Sequence, residues 1–165
     1  MKKTLLFSAT MALLLSGPAV SLAQQPSRAD LQFAEKAAIS DQFEIQTGQL
    51  AAEKAQKAEV KAVGQQMVAD HGKTSAAMKT LAQAKGMTLP AKLDAEHQQK
   101  LDQLKGLSGG AFDSAYIKAQ VEAHQTAVAL FETQAKQGQD AGLKQFAQTN
   151  LPTLKQHLQH VQSLQ

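Results

Sequence analysis

Four long stretches of this sequence carry apolar residues at alternating three- and four-residue spacing, with few Gly or Pro to interrupt them. That period is the signature of an amphipathic α-helix and gives each segment one face to bury. In the first stretch Phe33, Ala37, Ser40, Glu44, Thr47 and Ala51 keep the spacing, widened by Ile39, Phe43 and Leu50. Ser27 suits its N-cap, and Gly48 is a candidate for a bend. A tight turn is expected near Lys57. The second stretch runs from Ala58 to Lys85 with Val60, Val63, Gly64, Met67, His71, Thr74, Met78 and Leu81 in line, and Gly86 supplies a stop.

A shorter segment, 91–105, places Leu93, His97, Leu101 and Leu104 on one side, with Pro90 suited to its first turn. The run Gly106-Leu-Ser-Gly-Gly110 breaks the pattern. The third long helix is expected over 111–136, with Ile117, Val121, His124, Val128 and Phe131, ended by Gly138. The fourth is expected from Asp140 to Ser163, with Leu143, Phe146, Asn150, Leu154, His157 and Val161. Pro152 lacks a backbone donor and should kink or interrupt it. Four long helices and a short one between the second and third predict an all-α bundle in one domain.

Composition supports that class. Apolar residues make up 43% of the chain but aromatics only 4%, with one Tyr and no Trp, too few large side chains to fill a β-sandwich core. The net charge of +3 includes Lys2 and Lys3 of the N-terminal segment; without them 15 basic residues face 14 acidic ones. No basic cluster with interleaved aromatics appears, so nucleic acid is not an expected partner.

The N-terminus reads as a secretory signal peptide over residues 1–23. Lys2-Lys3 precede an apolar run from Leu5 to Leu15, a break at Gly17-Pro18, and small residues at Ser21 and Ala23. Cleavage after Ala23 would leave a short polar lead-in at 24–29, a bundle over 30–163 and no transmembrane segment. The expected location is the periplasm, with outer-membrane association or secretion as variants. The absence of Cys excludes disulfides and a lipoprotein anchor.

Each long helix carries one ionisable residue near mid-length on or beside its apolar stripe: Glu44, His71, His124 and His157. In a bundle, mid-helix residues reach similar heights and can converge. Three imidazoles and a carboxylate suit a divalent transition metal such as zinc or iron, with copper also compatible. The competing reading is a set of core histidines satisfied by each other or by neighbouring acceptors. The di-iron pattern of helical bundles needs Glu-x-x-His on two helices. Here Val68, Val121 and Leu154 stand three residues before the histidines. Asp70 and Glu122 should point elsewhere on their helices, and Asp113 and Glu53 are weak candidates for outer partners. His97 should pair locally with Asp94. Met67 and Met78 read as packing, and His160 as an edge or solvent residue. No nucleophile motif or phosphate loop is present.

The segments "MVADHGKT", "LPAKLDAEHQQKL", "LSGGAFDSAYIKAQVEAHQTAVALFE" and "FAQTNLPTLKQHL" resemble a family of exported bacterial proteins, domain-of-unknown-function family 4142, often labelled as outer-membrane proteins. The likeness covers about residues 30–163 and implies a ferritin-like four-helix bundle. It supplies no activity. The outer-membrane label conflicts with the lack of alternating strands for a barrel. The leading reading is therefore a non-catalytic envelope protein with a stress or interaction role, meeting an envelope partner or a second copy of itself. A periplasmic metal-binding protein is the alternative, and a ferritin-type redox enzyme is third.

Overall fold

The computed structural model describes residues 25–165, so the expected signal peptide lies outside the described residues. The described chain is all-α: α1 (Arg28–Lys54), α2 (Ala58–Ala84), α3 (Ala95–Lys105), α4 (Gly109–Gln137) and α5 (Ala141–Gln162), with no strand among these residues. No helix in this region is long and apolar enough to cross a membrane.

The helix ends follow local chemistry. Ser27 and Asp30 form a capping box at the start of α1. The end of α2 is a Schellman turn: Gly86 has φ 65°, its amide donates to the Gln83 carbonyl at 3.2 Å, and Met87 N–H reaches the Ala82 carbonyl at 2.9 Å. Asp94 caps α3 through His97 N–H. This cap starts α3 at Ala95, so Pro90 and Leu93 precede the helix instead of opening it. Helix α4 begins at Gly109, inside the expected breaker: Ser108 is the N-cap residue, and its backbone carbonyl accepts the first helical bond from Phe112 N–H at 3.3 Å.

Of the two outcomes expected at Pro152, the interruption does not occur: helix α5 continues through it. Pro152 and Gln148 are both exposed, so the carbonyl that loses its helical donor can turn to solvent. Gly48 makes no break in α1. A Cβ built there would stand 2.7 Å from the Gly64 carbonyl oxygen, and one on Gly64 would stand 2.6 Å from the Gly48 carbonyl oxygen. The pair lets the backbones of α1 and α2 touch, which no larger residue permits.

Helices α1 and α2 form one hairpin, α4 and α5 another; α1 packs on α4, α2 on α5, and α3 lies across α1 and α4. Each hairpin's turn is held by an acid from the other. Asp30, near the start of α1, accepts from Gln139 N–H at 3.1 Å, Asp140 N–H at 3.2 Å and Gln134 Nε2 at 2.7 Å. Asp113, near the start of α4, accepts from Gln56 N–H at 2.9 Å and Lys57 N–H at 2.8 Å. Asp113 is thus a turn clamp, not an outer partner of the mid-bundle residues, and Glu53 is exposed. The clamps place the start of each helix at the end of the other, so α1 and α4 run antiparallel.

The core is in two parts. One gathers Val60, Met67, Leu104, Phe112, Ile117 and Val161. The other gathers Phe33, Met78, Phe131, Leu143, Phe146 and Leu154. Met67 and Met78 are both fully buried packing residues. Between the two parts lies a polar layer.

The Asp30 carboxylate accepts five hydrogen bonds, two of them from Ser27. Burial opposes its charge, but these bonds more than offset that and hold its pKa below the ordinary 3.8. Its contribution is therefore complete above its unfolded pKa and fades as pH falls below 3.8. Asp30→Ala should cost on the order of 3 kcal/mol in urea unfolding and flatten the acid limb of the stability curve.

Candidate metal centre

The polar layer is built by one face of each long helix. On α1, Asp41 and Glu44 are one turn apart and both buried; on α2, α4 and α5 the buried residues are His71, His124 and His157. The three imidazoles surround a common point. Ring centroids are 5.6 Å apart for His71 and His124, 5.7 Å for His71 and His157, and 5.4 Å for His124 and His157. One nitrogen of each lies within 4.8 Å of the others.

Each ring is tied down through one nitrogen. His71 Nδ1–H donates to Asp41 Oδ1 at 2.8 Å, and Thr74 Oγ1 donates to the same oxygen at 2.8 Å. His124 Nδ1–H donates to the Gln120 carbonyl at 2.9 Å. His157 Nε2–H donates to Asp70 Oδ2 at 3.2 Å. Carboxylates and carbonyls only accept, so these contacts fix the tautomers. The remaining nitrogens, His71 Nε2, His124 Nε2 and His157 Nδ1, are buried and have no hydrogen-bond partner from the protein.

Electrostatics separates the three rings. Burial works against charge on His71, but the Asp41 bond and the charges of Glu44, Asp41 and Asp70 outweigh it and raise its pKa. Burial lowers His124, with His71 adding to it against the pull of Glu44. Burial, then His124 and His71, push His157 down to about 4 despite Asp70. Asp70 is held below the usual range chiefly by its bond to Lys73, helped by His157 and opposed by burial.

Three of the four predicted site residues come together. Glu44 stands beside them: its Oε1 is 3.7 Å from His124 Nδ1, and it is not part of the group whose ligand atoms share the 4.8 Å radius. Asp70 corrects the sequence reading, since it points across the interface at His157 instead of away. Glu122 is exposed as expected, as is His160. His97 does pair with Asp94, at 2.7 Å. Asp41 and Gln120 were not singled out by sequence reasoning. Asp41 stands four after Ala37 and three before Glu44, Ser40 three after and four before; both spacings are helical, and the wheel alone does not choose between these neighbours.

A donor set of three imidazole nitrogens, each backed by a carboxylate or carbonyl, fits a borderline or soft transition metal and not a hard ion such as calcium. The backing acceptors match the outer partners that orient metal-binding histidines.

The chain belongs to the DUF4142 family of domains of unknown function, whose model matches residues 16–164. A search of curated proteins finds no match. Among solved structures, a DUF305 fragment from Deinococcus radiodurans is similar, with a TM-score of 0.75 at 12% identity over 86% of this chain and 97% of that one. CopM in its Cu(II)-bound form gives a TM-score of 0.70 at 20% identity over 82% of this chain and 94% of that one. CopM in its Ag-bound form gives 0.67 at 20% identity over 82% and 93%. At these identities the likeness concerns the fold.

The tautomers can be read directly. Long-range proton–nitrogen NMR spectra of the metal-free protein should show Nδ1–H on neutral His71 and His124 and Nε2–H on His157. His157 should stay neutral until pH falls to about 4. Because its folded pKa lies below 6.5, it should subtract stability as pH falls from 6.5 toward that value. His71, with a raised pKa, should act in the opposite sense, losing its contribution as pH rises through its folded pKa.

Proposed function

We propose that this protein is an exported, non-catalytic bundle of ferritin-like type that binds one transition-metal ion, copper in the first place, through His71 Nε2, His124 Nε2 and His157 Nδ1. The observation that carries the reading is the set of three buried imidazole nitrogens left without a protein partner while the opposite nitrogen of each ring is anchored. Each ring bonds a neighbouring acceptor, as a structural core histidine would, but the second nitrogens converge without bonding one another. Imidazole sites rank copper(II) above the other divalent first-row metals. CopM, which shares the fold at 20% identity, has been solved with Cu(II), Cu(I) and silver. Zinc is the second choice, as a metal that accepts three neutral nitrogens with one open position.

In this reading the three rings supply the donor atoms. Asp41, Asp70 and the Gln120 carbonyl keep their lone pairs directed inward. The apolar layers on either side shield the site from water. The role that follows is holding or buffering a metal in the cell envelope. Export rests on the leader-like residues 1–23. The proposal assigns the cluster no redox or hydrolytic reaction.

The test is elemental analysis of untagged protein loaded with copper or zinc and then desalted. About one equivalent is expected for the wild type and under about a tenth for the His71→Ala, His124→Ala double variant. Wild-type protein that retains under about a tenth of either metal sinks the reading. Asp41→Asn probes the anchoring separately. Its amide N–H₂ can face His71 Nδ1, reversing the tautomer and placing the proton on Nε2. The fold should persist while metal affinity drops by about 10- to 100-fold.

A further inference from the structure

Glu44 is the most exceptional charged group in the described chain. Its residue is 1% exposed, and neither carboxylate oxygen has a hydrogen bond from the protein. The other buried acids are all provided for. Asp30 and Asp113 clamp backbone amides. Asp140 pairs with Lys85 at 2.7 Å. Asp41 receives His71 and Thr74. Outside the core, Asp70 receives Lys73 and His157.

The surroundings of Glu44 do not compensate it either. The Tyr116 hydroxyl and Gln120 Oε1 are likewise buried without partners, and the Gln120 amide nitrogen is given to Thr47 Oγ1 at 3.3 Å. The imidazole nitrogen in contact with Glu44 is His124 Nδ1, at 3.7 Å, and that nitrogen's proton already goes to the Gln120 carbonyl. Glu44 therefore lies on the anchored side of the His124 ring, not on the side of the unpartnered nitrogens. Its charge nevertheless reaches His71, His124 and Tyr116.

Resting on the metal-binding reading above, we propose that Glu44 is the specificity-determining counter-charge of the centre: it favours a divalent over a monovalent ion at the three imidazoles, without coordinating the ion. A buried, unpaired carboxylate is strongly unfavourable until a cation lies near it. The attraction scales with the charge on that cation. Three neutral nitrogens hold a monovalent and a divalent ion by the same donor set, so the difference falls to the nearest uncompensated anion.

Zinc(II) and silver(I) are the probes, titrated by competition into full-chain wild type and Glu44→Gln. The variant should lose at least about tenfold in zinc affinity and silver only about the square root of the zinc factor, about threefold where zinc loses tenfold, one decade being the scale of a single changed charge contact. Cobalt(II) loaded in place of zinc should give the same absorption bands in both proteins. Equal losses for the two ions, or an unchanged zinc affinity, overturn the proposal. A changed cobalt spectrum also overturns it, because it would put Glu44 in the coordination sphere. Wild type that takes up neither ion overturns this inference, and the metal reading with it if copper is not retained either, whereas unaltered zinc binding in the variant removes only this one. If Glu44→Gln loses its helical circular dichroism, Glu44→Asp replaces it. Withdrawing the carboxylate by one methylene must then weaken zinc more than silver, and unchanged zinc affinity overturns the proposal.

Discussion

The register between the two helical hairpins is the constraint on which the rest of this structure depends. It is set at both ends by a buried carboxylate. Asp30 gathers the turn between α4 and α5, and Asp113 gathers the turn between α1 and α2. Glu44 lies 14 positions after Asp30 and His124 lies 11 after Asp113, which together nearly fill the 26 positions from Asp30 to the Gln56 clamp. With α1 and α4 antiparallel and clamped at each end, Glu44 and His124 come level at the middle of the bundle, 3.7 Å apart. The Gly48–Gly64 contact closes α1 onto α2 and leaves no room for the two helices to slide. Charge-assisted bonds to backbone amides suit this task because they are short and directional, whereas an alanine-rich apolar seam would tolerate several registers.

Stability alone does not account for the middle of the core. Two apolar clusters flank a layer of Glu44, Thr47, His71, Gln120, His124 and His157, in which seven polar atoms (Tyr116 Oη included) find no protein partner. Replacing such a layer with well-packed apolar residues is often neutral or stabilising. The strain is also distributed unevenly. Burial depresses His124 and His157, while Asp41, Glu44 and Asp70 raise His71. One imidazole thus favours charge and two oppose it within a single cluster.

Some of this architecture was legible in the chain itself. The 3.6-residue period gave five helices, and Gly86, Asp140 and the turn near Lys57 fell where local chemistry required. Other features were read incompletely for identifiable reasons. Pro152 suggested a kink or an interruption, and the helix is not interrupted, since a missing donor matters little where the orphaned carbonyl faces water. Gly48 suggested a bend, while its contact with Gly64 has no trace along a single helix. Asp70 was assigned outward from its position beside His71, yet its partner sits on α5, far along the sequence.

What the sequence by itself determined is the set of elements and the inward placement of one polar residue per long helix, since both follow from periodicity within a segment. Tertiary structure decided which of those residues meet. It joined the three histidines, moved Glu44 to the anchored side of His124, and recruited Asp41, Asp70 and the Gln120 carbonyl as the acceptors that fix each ring. The physical reason is that a helical wheel gives direction around one axis only. The height of a residue relative to other helices, and the ring nitrogen it presents there, depend on the interhelical register and on hydrogen bonds between residues remote in sequence.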